Sequence, residues 1–343
     1  MVTSSTRPLH SHLGAPRAPR AEPALERTGE TGRARVRSSA LRGRAARPRC
    51  PAALKSALGR EAASLRTLRR ALRLARRLYE ALVAPLEPPL VGIERLVIVP
   101  DGPLHYVPFD ALPVPSASQE TTYWQIGYVI DRFEITYLPS AQFLSRASTD
   151  LKGTRLLAVT RQAPGGSREV ATLAAAWPRE RVRVLAEDHA TETAARAEAE
   201  AASVLHFAVH AQADDQDPQA SHLRLAADDQ NDGYLHLAEI AGAPRRARLV
   251  VLSACETQSG RLFNGEGLMG LARAFLASGA GSVVATQWPV GPSTADLMGD
   301  FYRQLVAGAP PAAALRAAKL ALRNDPATAH PFYWGGFVLV AGG

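Results

Sequence analysis

Short apolar runs alternate with amphipathic stretches along the chain from about residue 91 onward. Runs such as RLVIVP (95–100), RLLAVT (155–160) and SVLHFAVH (203–210) are rich in valine and leucine, which is typical of buried strands. Stretches with apolar residues at spacings of three and four lie between these runs and favour helices. Strands that alternate with helices predict an α/β fold, in which helices flank a mostly parallel sheet.

The same pattern predicts where the other elements lie. We expect further strands at residues 132–140, 181–186, 248–255, 281–288 and 335–341. Helices are expected at residues 168–177, 266–278, 294–307 and 311–323, together with one whose N-cap is Thr191. The turn sequence Asn231-Asp232-Gly233 separates two short alternating runs, which predicts a β-hairpin within residues 221–237.

Residues 51–85 differ from the segments on either side of them. Leucines recur there at spacings of three, four or seven, arginines fill most of the intervening positions, and Pro85 ends the pattern. This predicts an amphipathic helix that packs on the following domain and exposes a basic face. A docking helix for a partner protein is the alternative interpretation.

The net charge of +8 comes from residues 1–50, which hold eleven arginines and three glutamates. These residues include no phenylalanine, tyrosine or tryptophan, so they cannot bury enough apolar surface to offset the entropy lost on ordering. We therefore expect a disordered tail rich in arginine, alanine and proline. A basic arm for nucleic acid or anionic lipid is the alternative, but the absence of stacking aromatics disfavours it.

Cysteine content and hydropathy suggest the compartment. Cys50 and Cys255 are the two cysteines, too few for a disulfide framework, which favours a reducing environment. The amino-terminal residues contain no apolar leader, and no apolar run approaches the roughly 20 residues of a spanning helix. We expect a soluble, cytoplasmic protein that has no membrane partner.

Two predicted strands end in residues that can perform chemistry. In a parallel sheet, ligands bind beyond the carboxyl ends of the strands, and there one strand delivers His210 and another delivers Cys255. If these strands are neighbours, imidazole and thiol share one rim, where a thiolate can attack a carbonyl and the histidine can protonate a leaving amine. The backbone N–H groups of Ala211 and Cys255 could then stabilise the oxyanion.

Simpler interpretations compete with this one. A cysteine at a strand end is often a small buried hydrophobe, and a histidine there is often a satisfied polar terminus. His206 and His210 form an HxxxH pattern, but on a strand they would lie about 13 Å apart, too far to share a zinc ion. We therefore interpret His206 as a structural, sheet-facing residue. The sequence around Ser253 lacks the nucleophile elbow of a serine hydrolase.

Three glycines match the glycine-rich motif of dinucleotide-binding proteins, but their context does not fit it. Gly265, Gly267 and Gly270 match G-x-G-x-x-G, but they follow the predicted strand only after a ten-residue loop, and no acid follows at the required distance. We expect these glycines to allow a tight loop and close helix packing. No metal or cofactor site is predicted.

Several blocks taken together resemble the CHAT domain. They are LVIVPDGPLHYVPFDAL (96–112), YLPSA (137–141), VLHFAVHA (204–211), LVVLSACET (249–257), GEGLMGLARAFLASGAGSVVATQWPV (265–290), FY (301–302) and HPFYWGGFVLVAG (330–342). CHAT domains are similar to the caspase, gingipain and separase clan of cysteine peptidases. The resemblance implies a caspase-like α/β core and a catalytic dyad of His210 and Cys255.

The sequence departs from the family pattern at two places. Ala211 stands where the family usually has a glycine after the catalytic histidine, and Gly291-Pro292 stand where an acidic pair often follows Trp-Pro-Val. Acids in that region are associated with basic P1 side chains in relatives, so the resemblance implies no P1 preference here. Asp214 and Asp296 are acids that could substitute, and Glu256, Trp288 and Asp214 are the candidate substrate-pocket residues.

These expectations lead to a predicted domain organisation and to three alternative functions. We expect a tail at 1–50, a packed helix at 51–85 and a CHAT domain at 86–343, divided into a subdomain at 86–150 and a peptidase core at 151–343. The first function is a bacterial cysteine endopeptidase that cleaves a protein partner under the control of a sensor. No 34-residue repeat is visible, so a tetratricopeptide sensor would be a separate chain. The alternatives are an inactive CHAT module that binds proteins, and a nucleic-acid binder using the basic segments.

Overall fold

The computed structural model describes the chain in eleven stretches. It covers, in full or as backbone, residues 25–28, 33–37, 54, 58, 65–116, 122–140, 151–212, 217–243, 247–253, 266–288 and 294–341. Twelve strands lie within these stretches: β1 (Leu25–Thr28), β2 (Arg33–Arg37), β3 (Arg95–Val99), β4 (Glu134–Tyr137), β5 (Leu156–Arg161), β6 (Val182–Ala186), β7 (Val204–Gln212), β8 (His222–Arg224), β9 (Tyr234–His236), β10 (Leu249–Leu252), β11 (Ser282–Thr286) and β12 (Phe337–Ala341).

The strands form one sheet in the order β1-β2-β3-β4-β12-β11-β10-β7-β5-β6. Most neighbours in this order are parallel; the antiparallel pairs are β1 with β2 and β11 with β12. The short strands β8 and β9 form a hairpin that pairs antiparallel with the end of β7. The expected α/β fold with a mostly parallel sheet is therefore confirmed.

Helices cover both faces of this sheet. The described helices are α1 (Leu65–Leu82), α2 (Val129–Arg132), α3 (Gly166–Ala176), α4 (Glu192–Ala201), α5 (Leu237–Gly242), α6 (Glu266–Ala277), α7 (Thr294–Val306), α8 (Pro311–Asn324) and α9 (Pro331–Trp334). None of the helices in the described stretches is long and apolar enough to cross a membrane.

Alternation along β7 shows how the two faces are built. Val204 and Ala208 belong to the apolar core that includes side chains of α3, α7 and α8. Leu205 and Phe207 belong to the core on the opposite face, which includes side chains of α4, α5 and α6. Successive side chains of a strand point to opposite faces, so a strand covered by helices on both sides must be apolar throughout. This explains why the central strands are continuous apolar runs.

Two local predictions are confirmed by the hydrogen bonds. The Ala194 N–H donates to the Thr191 hydroxyl at 3.2 Å, which makes Thr191 the N-cap of α4. The predicted hairpin is the β8–β9 pair, and Gly233 in its turn has φ +86. A Cβ at Gly233 would lie 2.8 Å from the Leu225 carbonyl oxygen, so both the conformation and the space require glycine there.

The structure describes only part of the amino-terminal region for which we made predictions. Strands β1 and β2 fall inside the segment 1–50 that we expected to be a tail, and the remaining residues of that segment lie outside the described stretches. Helix α1 accounts for residues 65–82 of the amphipathic pattern, and its side chains Leu78 and Leu82 are buried in the core. The division of the chain into tail, helix and CHAT domain stays a prediction.

Candidate functional site

The two strands that lead toward His210 and Cys255 are neighbours. β10 pairs parallel with β7, with Leu249 opposite Val204 and Leu252 opposite Phe207. The Ser253 N–H donates to the Phe207 carbonyl at 3.0 Å, which extends the contact one residue beyond β10. β5 pairs parallel with the other side of β7. The carboxyl ends of three adjacent strands therefore meet at one rim, the usual place for a ligand in such a sheet.

His210 lies at this rim, near the end of β7, and is partly exposed. Its Nε2 is 2.8 Å from the carbonyl oxygen of Gln162, the residue that follows β5. A carbonyl oxygen can only accept a hydrogen bond, so Nε2 carries the proton, and in the neutral ring Nδ1 is the unprotonated nitrogen. This hydrogen bond orients the imidazole and selects its tautomer.

Gln162 is a functional candidate that the sequence analysis missed. Its φ is +50, in the left-handed region that non-glycine residues seldom occupy. Such conformations cost energy and are concentrated at functional sites. Gln162 contacts His210 through its backbone carbonyl. Every residue type carries this group, so no pattern of side chains in the sequence could have predicted the contact.

Ala211 is the next-to-last residue of β7, where this strand pairs with the hairpin. It is opposite Leu223 of β8, and its side chain is buried in the core on the face away from His210. Its assignment as an oxyanion donor through its backbone N–H stays a prediction. Cys255, Glu256 and Asp214 lie outside the described stretches, so their assignments also stay predictions.

Trp288 is described and lies beyond the end of β11. It is only 1% exposed, and its indole N–H donates to the Phe332 carbonyl at 3.1 Å. Gly336 allows this packing, because a Cβ there would lie 2.9 Å from the indole nitrogen. The assignment of Trp288 to a substrate pocket stays a prediction. Asp296, the other candidate acid, forms an exposed ion pair with Arg168 at 3.1 Å.

A buried polar cluster lies beneath the rim, on the same face of the sheet as His210. We use this name for His206, Glu169, Tyr302 and Ser253. His206 Nδ1 is 3.0 Å from the Tyr302 hydroxyl, and Nε2 is 3.0 Å from Oε1 of Glu169. The Ser253 hydroxyl donates to Oε2 of Glu169 at 3.0 Å. One glutamate on α3 thus links the first half of β7 to the residue that follows β10, and these are the two strands that lead to the predicted dyad.

Burial fixes the proton positions in this cluster. Burial, followed by the nearby Glu169 charge, raises the pKa of Tyr302 well above its usual value near 10, so its hydroxyl stays protonated. Tyr302 can then donate to Nδ1 of His206, which leaves the ring proton on Nε2, facing Glu169. His206 is fully buried, which agrees with its interpretation as a structural residue.

The surroundings of Ser253 and His206 bear on two other chemistries, those of a serine hydrolase and of a zinc site. The Ser253 proton is directed at a carboxylate rather than at a histidine, and the side chain is buried, so Ser253 has neither the base nor the exposure of a hydrolase nucleophile. Both nitrogens of His206 face protein groups. Within the described stretches, no three His, Cys, Asp or Glu side chains are placed to hold a metal ion.

Known proteins similar to this chain share its CHAT region. Tetratricopeptide repeat protein 28 of Homo sapiens is 27% identical over 333 residues, which cover 77% of this chain and 13% of that protein. The protein of the same name from Mus musculus is 37% identical over 108 residues, which cover 31% of this chain and 4% of that protein. The chain therefore spans only a small part of these curated relatives.

A solved structure and a family profile complete the comparison. A crystal structure of the Saccharomyces cerevisiae separase–securin complex matches with a TM-score of 0.48 and 10% identity, over 84% of this chain and 20% of that chain. The profile of the CHAT domain matches residues 72–342, which is well over half of the sequence. The chain belongs to the CHAT domain family.

Proposed function

We propose that this CHAT domain is a cysteine peptidase whose dyad is His210 and Cys255. The observation that carries the proposal is the register of β7 and β10. Leu249 is opposite Val204 and Leu252 is opposite Phe207, a constant difference of 45 positions. Cys255 follows His210 by the same 45 positions. If the pairing direction continues for three residues, the register brings the two side chains to adjacent places on one face of the sheet.

The chemistry of such a dyad follows from these groups. Nδ1 of His210 takes the thiol proton of Cys255 and later returns it to the departing amine. The Cys255 thiolate attacks the carbonyl carbon of a peptide bond, and the N–H groups of Ala211 and Cys255 stabilise the resulting oxyanion. The C–N bond then breaks as His210 transfers a proton to the departing amine. Water hydrolyses the thioester and regenerates the thiol. Throughout these steps the Gln162 carbonyl holds Nε2–H and keeps the imidazole in one orientation.

The proposed substrate is a protein partner, and the proposed control is by another protein. Both curated relatives are named as tetratricopeptide repeat proteins. We infer that repeats of this type, on the same polypeptide or on a separate chain, regulate the domain. A reducing compartment keeps a free thiol from forming disulfides, so we propose that the domain works in the cytoplasm.

The second candidate function is a protein-binding CHAT module without catalysis. Ala211 favours this alternative, because alanine lacks the freedom of glycine at positive φ beside the predicted oxyanion. Ala211 also belongs to the β7–β8 ladder, which restricts how its N–H can turn toward a substrate.

Selective alkylation separates the two functions. The full chain is treated with a limiting amount of iodoacetamide at pH 7, and peptide mass spectrometry measures the modification rates of Cys255 and Cys50. A peptidase predicts that Cys255 reacts faster, and that His210→Ala slows this reaction about tenfold or more, because the neighbouring imidazole no longer favours the thiolate.

The chain supplies matched controls for this measurement. Cys50→Ala and replacement of the exposed His189 by alanine should leave the Cys255 rate unchanged. If Cys255 reacts no faster than Cys50, or reacts equally fast in wild type and His210→Ala, the non-catalytic module is the correct assignment.

A further inference from the structure

The β8–β9 hairpin extends the sheet sideways from His210. His210 is opposite Arg224 of β8, and Arg224 is opposite Tyr234 of β9. Gln212, His222 and His236 form the next row in the same way. Residues opposite each other in antiparallel strands point to the same face. Three strands therefore present two rows of polar and aromatic side chains on the face that carries His210.

Ring contacts confirm that these side chains share a face. The His222 ring lies 4.7 Å from the Tyr234 ring and 5.3 Å from the His236 ring, between centroids. Leu223 and Leu235, which alternate with them, are buried in the core on the opposite face. Tyr234 is 39% exposed, and Arg224 is half-buried. We call the exposed side of Arg224, His222, Tyr234 and His236 the hairpin face.

Arg224 is the arginine of the hairpin face, and acids described in α5 and in the turn between β8 and β9 accept hydrogen bonds from other donors. None of the ion pairs formed among the described residues includes Arg224. Glu239 Oε1 is 2.6 Å from the Arg196 guanidinium, and its Oε2 accepts the His236 N–H. Asp232 accepts the Tyr234 N–H at 2.9 Å.

Asp228 is occupied in the same way. It accepts the N–H groups of Gln230, Asn231 and Thr193. These hydrogen bonds, with that of Gln230 contributing most, hold the pKa of the Asp228 carboxyl below its usual range. These described carboxylates of the hairpin therefore stabilise its turn and the start of α4, and none of them forms an ion pair with the Arg224 guanidinium.

We propose that the hairpin face binds an acidic side chain of a peptide, with Arg224 as the residue that pairs with its carboxylate. The planar guanidinium matches a carboxylate with two parallel hydrogen bonds, and the exposed Tyr234 ring offers an apolar contact for the peptide beside it. A peptide is the favoured partner because the face adjoins His210. This position, though not the charge complementarity, rests on the proposed peptidase function.

The geometry limits where the acidic residue lies in a substrate. Adjacent strands are about 5 Å apart, and an extended peptide advances about 3.3 Å per residue. Arg224 is on the strand next to His210, and Tyr234 is one strand farther. An acid paired with Arg224 would thus lie within about three residues of the bond that is cleaved.

The test uses decapeptides that carry a chloromethyl ketone at the carboxyl end and glutamate, glutamine or lysine at one of the last three positions. The modification rate of Cys255 is measured for wild type, Arg224→Gln, Arg224→Glu and Arg183→Glu. Arg183 is a matched control because it is an exposed strand arginine, paired with Glu198 at 3.0 Å, on the far edge strand β6.

We expect glutamate to be favoured over lysine by about tenfold at one position in wild type, the effect of one charge-assisted hydrogen bond. The preference should disappear in Arg224→Gln, reverse in Arg224→Glu and persist in Arg183→Glu. If Cys255 reacts but wild type shows no preference for glutamate, or Arg224→Glu keeps that preference, the inference is overturned while the peptidase proposal stands.

A second measurement covers the case in which Cys255 does not react. Fluorescein-labelled decapeptides of the same sequences, without the reactive group, are titrated with the same four proteins and followed by fluorescence anisotropy. Tighter binding of the glutamate peptides that is lost in Arg224→Gln supports the hairpin face as a binding surface of a non-catalytic module. Equal binding of glutamate and lysine peptides overturns the inference.

Discussion

The two histidines of β7 share one strand and one face, yet their surroundings differ. His206 is fully buried, and both of its ring nitrogens face side chains of the protein, Tyr302 and Glu169. His210, four residues later, is partly exposed, and its Nε2 is held by the backbone carbonyl of Gln162. The first ring is enclosed by groups from two helices, whereas the second lies at the rim where strands end.

This difference supports a structural role for His206 and fits the chemical role proposed for His210. A fully buried ring whose nitrogens both face protein side chains is not accessible to a ligand, and it contributes through its contacts with other buried polar groups. A ring at the rim that is oriented by a backbone carbonyl keeps its tautomer, however the neighbouring side chains vary. We therefore expect changes around His206 to affect stability and changes around His210 to affect reactivity.

The largest expected effect on stability is that of Glu169→Ala. This change leaves the Ser253 hydroxyl and His206 Nε2 without their carboxylate in a region that excludes water. Breaking a buried interaction of this kind costs about 3–5 kcal/mol of the free energy of unfolding. Urea denaturation followed by circular dichroism measures the loss.

The control for this prediction is Glu198→Ala, which removes an exposed carboxylate paired with Arg183. Exposed pairs contribute about 0–1 kcal/mol, so this variant should remain close to wild type. Should Glu169→Ala fail to fold, Glu169→Gln tests the same point, since it keeps the shape but removes the charge. A loss no greater than that of Glu198→Ala would mean that the buried polar cluster does not stabilise the strand ends.

The sequence predicted the strands, helices and hairpin better than it predicted the buried side-chain contacts between them. Apolar runs and turn residues located the sheet, the hairpin and the rim with His210, because these depend on patterns local to each segment. Glu169 lies in α3 between Arg168 and Val170, and a glutamate is a residue type that gives no sign that it is 4% exposed. Its burial depends on contacts with Ser253 and His206, which are distant in sequence.

Lys319 and Asp110 form a second buried contact between residues that are distant in sequence, and the sequence did not predict it either. Their ion pair at 3.1 Å joins α8 to the segment after β3, and both side chains are buried. Burial lowers the pKa of Lys319, while Asp110 opposes that shift. Lysine and aspartate are seldom buried unless they are paired, so these residue types did not predict the pair, which depends on tertiary packing.

A smaller effect is expected for Tyr302→Phe. This variant keeps the buried ring but removes the hydroxyl that lies 3.0 Å from His206 Nδ1. Loss of one buried hydrogen bond costs about 1–2 kcal/mol, so the free energy of unfolding should fall by that amount in urea denaturation. In a double-mutant cycle with Glu169→Gln, the loss of unfolding free energy in the double variant should differ from the sum of the losses in the two single variants. Both residues contact the same His206 ring, so their effects are coupled. Additive losses would show that the cluster does not act as a unit.

His210→Ala should have less effect on stability than either change around His206. Its ring is partly exposed, so its removal should change the free energy of unfolding by less than about 1 kcal/mol. The same preparation should show slowed alkylation of Cys255. Equal losses of stability in His210→Ala and Tyr302→Phe would remove the distinction between the two histidines.

The smallest expected effect is that of Gln162→Gly, which tests how the imidazole of His210 is held. Gln162→Gly relieves the non-glycine residue at φ +50 but keeps the carbonyl that accepts from His210 Nε2. A non-glycine residue in the left-handed region costs about 1 kcal/mol, and the added freedom of glycine in the unfolded chain offsets part of that cost. The free energy of unfolding should thus change by between zero and about +1 kcal/mol, with the Cys255 alkylation rate unchanged. A loss of stability or of alkylation rate would show that the glutamine side chain, rather than its backbone carbonyl, supports the imidazole.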